Sequence, residues 1–186
     1  MKLISKTEHK IVLQKEHILS ILQVLAASLF IGLCAQIKIP LFFTPVPLTG
    51  QTFAVMLIGA LLGSRKGILA VLCYLIEGAC GFPVWAPGAS VGFLRLIGPT
   101  GGYLVGYLLQ AYLVGFFVER MRPIEAKKTW LTLVMTSALQ LGIGAFWLAS
   151  FVGFQNILWM GVYPFIPGEM VKAAFVTWYL KCRKAV

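Results

Sequence analysis

The chain has 186 residues, 59% of them hydrophobic, and a formal net charge of +10. A soluble domain is about 45–50% apolar even with glycine counted, so this composition excludes a soluble protein, and the clustering of the charges between apolar runs argues against nucleic acid. Aspartate is absent and only six glutamates are present, which removes most acid-pair hydrolase and metal-dependent chemistry. The length suits an all-α integral membrane protein with about six spans of roughly 20 residues.

Residues 1–16 carry Lys2, Lys6, Lys10 and Lys15 and read as a cytoplasmic N-terminal arm, followed by a single transmembrane domain over 17–186. The apolar run 18–37 fills a whole span and more spans follow it, so it reads as a retained first helix rather than a signal peptide. Ser28 and Gly32 stand four apart on it, a small ridge that lets another helix approach, either of this chain or of a partner. Pro40, Pro45 and Pro47 bar a regular helix across 39–50. That segment, with Phe43 in it, is aromatic and apolar for a loop and reads as a lid over a ligand or as an interfacial anchor. Thr49 and Gln51 are its polar tips at the start of a helix over 51–63.

A tight basic turn at 63–67 leads into a third helix over 67–81. Glu77, near its end, lies at the aqueous surface or faces the interior, and the loop that follows favours the surface. The loop 81–95 is broken by Gly and Pro, contains Trp85 and ends on one charge, Arg95. Pro99 and Thr100 suit a helix start, so a fourth helix runs over 100–118. Gly101, Gly102 and Gly106 smooth one of its faces, and the glycine-rich start before Tyr103 has N–H groups suited to an anion. A charged connection, 119–128, precedes a fifth helix over 129–150. Residues 151–166, with Trp159 and Tyr163, read as an outer interfacial segment. The last helix starts near Pro167 and ends in Lys181, Arg183 and Lys184.

Thirteen of the sixteen Lys and Arg fall on the arm, the 63–67 turn, the 119–128 connection and the C-terminus. That alternation predicts a six-helix bundle with both termini cytoplasmic and the long aromatic loops outside. Glu169 and Lys172 then lie one to two turns below the outer start of the last helix and share a face. Charges within a span face a partner, water or a ligand. The alternatives are a structural ion pair and a Lys172 that snorkels to the interface. With Arg95 the pair can line one outward-facing pocket, suited to a small ligand with a carboxylate at one end and a donor–acceptor group at the other.

Four stretches, Pro45–Thr52, Gly81–Trp85, Gly98–Tyr103 and Pro167-Gly168-Glu169-x-x-Lys172, together resemble the BioY family, the biotin-specific substrate-binding membrane subunits of energy-coupling factor transporters. The resemblance spans roughly residues 18–182. It implies a six-helix fold in the cell membrane that captures biotin from outside and passes it inward with a transmembrane coupling protein and two cytoplasmic ATPases. The chain itself would then be no enzyme and need no cofactor, and ATP would be hydrolysed only by those partners. In the family an Asp-x-x-Lys pair on the last helix contacts the ureido ring; here Glu169 stands for the Asp and Lys172 matches. Arg95 becomes the candidate for the biotin carboxylate, with Trp85 and Phe43 beside the fused ring. Thr49, Gln51, Thr100, Gly101 and Tyr103 complete the candidate ligand set. The family's Ala-x-x-x-Ala docking motif on the first helix is replaced by Ser28 and Gly32. A subunit for a different vitamin or vitamin precursor is the alternative. A membrane enzyme would need a nucleophile–base set within the spans, and the two histidines, His9 and His17, lie at the arm.

Overall fold

A computed structural model describes residues 2–88, 91–121 and 123–184, with side chains described from residue 14 to residue 183. Ser90 and Arg122, counted above in the 81–95 loop and the 119–128 connection, lie outside the described residues, as do the side chains of Lys2, Lys6, His9, Lys10 and Lys184. The first helix, α1 (Lys2–Ala35), runs without a break from the arm into the apolar run. The proline-rich segment after it is pinned at both ends into a two-residue antiparallel ribbon, β1 (Lys38–Ile39) against β2 (Leu48–Thr49), with Lys38 opposite Thr49. Next come α2 (Gln51–Ala79), the short α3 (Leu94–Ile97), α4 (Gly101–Arg120) and α5 (Ala126–Val152). A 3-10 turn (Phe154–Asn156) and α6 (Ile157–Gly161) then lead to α7 (Ile166–Lys184).

The expected basic turn at 63–67 contracts to one residue. Gly63 has φ 81° and ψ 177°, and helix resumes at once through Ser64, Arg65 and Lys66. Two helical arms meet there and fold back on one another, which brings Gln51 beside Tyr74. A side chain at Gly63 would be strained by its φ and would run into the Glu119 carboxylate. That carboxylate accepts from Ser64 N and from Ser64 Oγ, at 3.1 Å each, and so supplies the capping acceptors of the second arm. The arms cross closely because both sides are glycine: a Cβ on Gly67 would lie 3.2 Å from Gly59 Cα.

Among the described residues, four helical stretches are long and apolar enough to cross a membrane: Gln14–Ala35, Gln51–Ala79, Gly101–Arg120 and Ala126–Val152. The chain is a multi-pass membrane protein. Its outer surface carries exposed Leu29 and Leu33 on α1, Met135 and Phe146 on α5, and Phe175 and Trp178 on α7. Inside, Ile31, Val55, Val71 and Ala111 join α1, α2 and α4, while Met56, Val114, Leu133 and Val176 join α2, α4, α5 and α7. A third cluster, Val46, Tyr103, Leu141, Leu148 and Phe165, closes the end of the bundle at which α2, α4 and α7 begin.

Two expectations for the first helical hairpin change. Glu77 does not point to water: Ser28 Oγ donates to its Oε1 at 2.8 Å, and its Oε2 is buried. Ser28 is fully buried, and a Cβ on Gly32 would sit 3.2 Å from Val84 Cβ. The small ridge of α1 is therefore covered by the chain's own second α2 arm and the loop that follows it. The close fit at Gly32 gives a direct expectation. Gly32→Leu lowers the thermal unfolding midpoint of the isolated chain, by several degrees for about 1–3 kcal/mol of overpacking; an unchanged midpoint would show that Val84 yields freely.

Candidate ligand-binding site

The start of α7 carries the charged pair. Pro167 and Gly168 fall in its first turn, where a missing proline N–H costs nothing, and Glu169 N bonds Phe165 O at 2.9 Å as the helix forms. Glu169 is 4% exposed. Lys172 Nζ donates to Glu169 Oε1 at 2.8 Å and to Thr52 Oγ1 at 2.7 Å, while Thr52 Oγ1 donates to Glu169 Oε1 at 2.6 Å. Lys172 thus folds inward and does not snorkel. The triangle uses two of the three ammonium donors. It also leaves Glu169 Oε2 buried with no partner.

Both side chains line a cavity of about 40 Å³. Arg95, on α3, lines the same cavity. Among the described residues it makes no ion pair, and burial pulls its pKa down from the ordinary arginine value. The wall between carries Trp85, whose Nε1 donates to Gly92 O at 3.1 Å and whose ring meets Tyr74 edge-on with centroids 5.1 Å apart. Tyr74 OH accepts from Gln51 Nε2, and Gln51 Oε1 accepts from Thr49 Oγ1 at 2.9 Å, so Thr49 and Gln51 form one chain of bonds along the wall. Tyr103 OH donates to Gly161 O at 2.7 Å and ties α4 to α6.

Of the residues singled out in the sequence, Lys172, Glu169, Arg95, Trp85, Thr49, Gln51, Thr100 and Tyr103 all line this cavity. Phe43 and Gly101 do not. Phe43 is 47% exposed on the proline-rich segment, as an anchor would be. Gly101 packs so closely on Leu96 O that a Cβ would collide, and its N–H bonds Gly98 O at 3.0 Å, so its role is helix packing. Ser28 and Gly32 lie away from the cavity, as described.

Nine lining residues escaped the sequence reading, among them Thr52, Tyr107, Gln140 and Phe165. Tyr107 could have been found one helical turn after Tyr103, on the same face. Gln140 is an amide on α5, one turn after Thr136 and Ser137, and it is 1% exposed.

The fold and the cavity together define a helical membrane protein in which Glu169, Lys172 and Arg95 line one shared cavity. The chain belongs to the BioY family, whose model matches residues 6–186. A probable biotin transporter BioY of Pyrococcus horikoshii is 40% identical over 155 residues, covering 82% of this chain and 90% of that protein. The biotin transporter BioY of Rhodobacter capsulatus is 38% identical over 163 residues, 76% of this chain and 84% of that one. A crystal structure described as the S-component for biotin from an ECF-type ABC transporter superposes with a TM-score of 0.80 at 24% identity, covering 92% of this chain and 94% of the other. At that identity the superposition speaks for the fold.

Proposed function

We propose that the chain is the biotin-binding subunit of an energy-coupling factor uptake transporter. The observation that carries this is the cavity with Glu169 and Lys172 at one pole and Arg95 lining the same space. A cyclic urea presents N–H donors beside a carbonyl acceptor; Glu169 Oε2 lacks a donor and Lys172 keeps one N–H to give. Arg95 then takes the valerate carboxylate as a charge-assisted pair. Trp85, Tyr103 and Phe165 supply the apolar walls for the ring and chain.

The chain crosses the cell membrane six times, with α1, the two arms of α2, α4, α5 and α7 as spans and both termini in the cytoplasm. Arg65 and Lys66 at the α2 elbow, with Arg120, Lys127 and Lys128 between α4 and α5, support that orientation, in which the cavity faces outward. The arms of α2, residues 51–62 and 64–79, are about 18 and 24 Å long at 1.5 Å per residue. They are short for a hydrocarbon core of about 30 Å, which local thinning of the bilayer accommodates. The subunit captures biotin and performs no catalysis. A transmembrane coupling protein and two cytoplasmic ATPases drive its release inward. With Ser28 and Gly32 covered, docking on the coupling protein falls to the exposed apolar flank of α1, including Leu22, Leu29 and Leu33.

The test is a calorimetric titration of the purified chain with biotin, its amino-acid precursors and a vitamin that lacks the cyclic urea. Saturable heat is expected with biotin and none with the last. Absence of biotin binding, or a different vitamin in the mass spectrum of the co-purifying ligand, overturns the reading.

A further inference from the structure

Among the described residues, six buried side-chain oxygens have no hydrogen-bond partner, and two of them belong to residues lining the cavity: Glu169 Oε2 and Gln140 Oε1. The other four, on Glu77, Gln110, Thr129 and Thr177, lie elsewhere. A buried acceptor left without a donor is costly, so two such atoms on residues of one cavity mark where a ligand donates. Gln140 has little freedom to relieve itself. Its Nε2 donates to Tyr103 O at 3.2 Å, and reversing the amide would set carbonyl against carbonyl. Its Cγ lies against Gly106, where an added Cβ would be 3.2 Å away. The amide is thus held with its oxygen as the unused group.

We infer that Gln140 Oε1 accepts the second N–H of the ligand's urea ring. This rests on the biotin reading above and deepens it. A cyclic urea has two N–H groups, one on each side of its carbonyl. Glu169 Oε2 takes one and the free donor of Lys172 takes the carbonyl, so the far N–H needs an acceptor from another element. Gln140, on α5, supplies it. The site therefore counts both nitrogens and discriminates a urea from a ring that keeps only one N–H. A hydrogen-bonding site rejects an analogue that leaves its polar group unpaired far better than an apolar wall does.

The experiment measures Kd for biotin and for its two mono-N-methyl analogues, on the wild-type chain and on Gln140→Met, which keeps length and removes the acceptor. Gln140→Met is expected to weaken biotin by roughly 10- to 100-fold. It should cost nothing further for the one analogue whose blocked nitrogen faces residue 140, and should cost as much as with biotin for the other. Gln140→Leu serves as a second variant, and the ligand-free thermal midpoint of each variant checks folding. Unchanged biotin affinity in a folded variant overturns the assignment. So does an equal loss on both analogues, since that would make Gln140 a prop for Tyr103. A wild-type chain that ignores biotin overturns the biotin reading and this inference with it, whereas wild-type binding with an indifferent Gln140 overturns the inference alone.

Discussion

Lys172→Ala is expected to weaken biotin binding by roughly 100- to 1,000-fold, enough to lose the ligand during purification. Two effects add. The variant removes the donor for the urea carbonyl, a charge-assisted bond worth about 1.5–3 kcal/mol. It also strips the counter-charge from Glu169, which is 4% exposed and has Thr52 as its one remaining donor. Truncating one partner of a buried, hydrogen-bonded charge pair costs about 2–5 kcal/mol, much of it from the charge left behind. Glu169→Gln separates the two contributions. It keeps size and one oxygen, but its NH₂ group faces either Lys172 or the ligand N–H, donor against donor. A comparable loss in Glu169→Gln means that the carboxylate itself reads the ligand. A purely structural ion pair predicts otherwise: a lower thermal midpoint in both variants and unchanged biotin affinity in whatever remains folded. Titration calorimetry with ligand-free thermal unfolding tells these apart.

The pair was legible because it is two charges at helical spacing just past a Pro-Gly, in a chain with few acids to choose from. Arg95 was legible for the same reason, as the one cation in the described part of a long aromatic loop. The helix breaks were legible at Pro and Gly, to within a few residues. What sequence could not supply was direction. Ser28 and Gly32 make the same ridge whether the neighbour is another protein or the chain's own Glu77 and Val84. Only the packed structure shows which. Gln140 follows Thr136 and Ser137 by one turn on α5, and nothing local says whether its amide faces lipid, a neighbour or a void. The turn at 63–67 read as five residues because its composition is polar and glycine-rich. It needs only Gly63, since Glu119, 55 residues away from Ser64, satisfies the N–H and hydroxyl that a wider turn would have given to water. Gly101 read as part of a helix start with N–H groups suited to an anion, and it packs closely on Leu96 O. In each case the residue type was informative, and the missing information was a long-range partner.

Arg95→Ala is expected to weaken biotin by roughly 10- to 100-fold while leaving biotinamide almost unaffected. The guanidinium lines the cavity, is partly buried, and among the described residues has no carboxylate of its own. A buried cation without a counter-ion is a cost to the free protein. A carboxylate ligand removes that cost and gains a charge-assisted bond of about 1.5–3 kcal/mol. The amide carries no charge and collects neither. The wild type should therefore prefer biotin to biotinamide, and the variant should bind the two about equally. The pH profile follows with a definite sign. Arginine stays protonated throughout, so the group that titrates is the ligand carboxyl, near pH 4–5 by analogy with a glutamate side chain. Wild-type affinity for biotin is full above that range and falls as pH drops through it. In Arg95→Ala that fall disappears, and biotinamide shows no such fall with either protein. Arg95 also lies against Gly88, so it has a second possible duty in holding the 81–95 loop. The amide comparison decides between the two. If Arg95→Ala weakens biotin and biotinamide by the same factor, the residue positions the loop and the ligand carboxylate is read elsewhere.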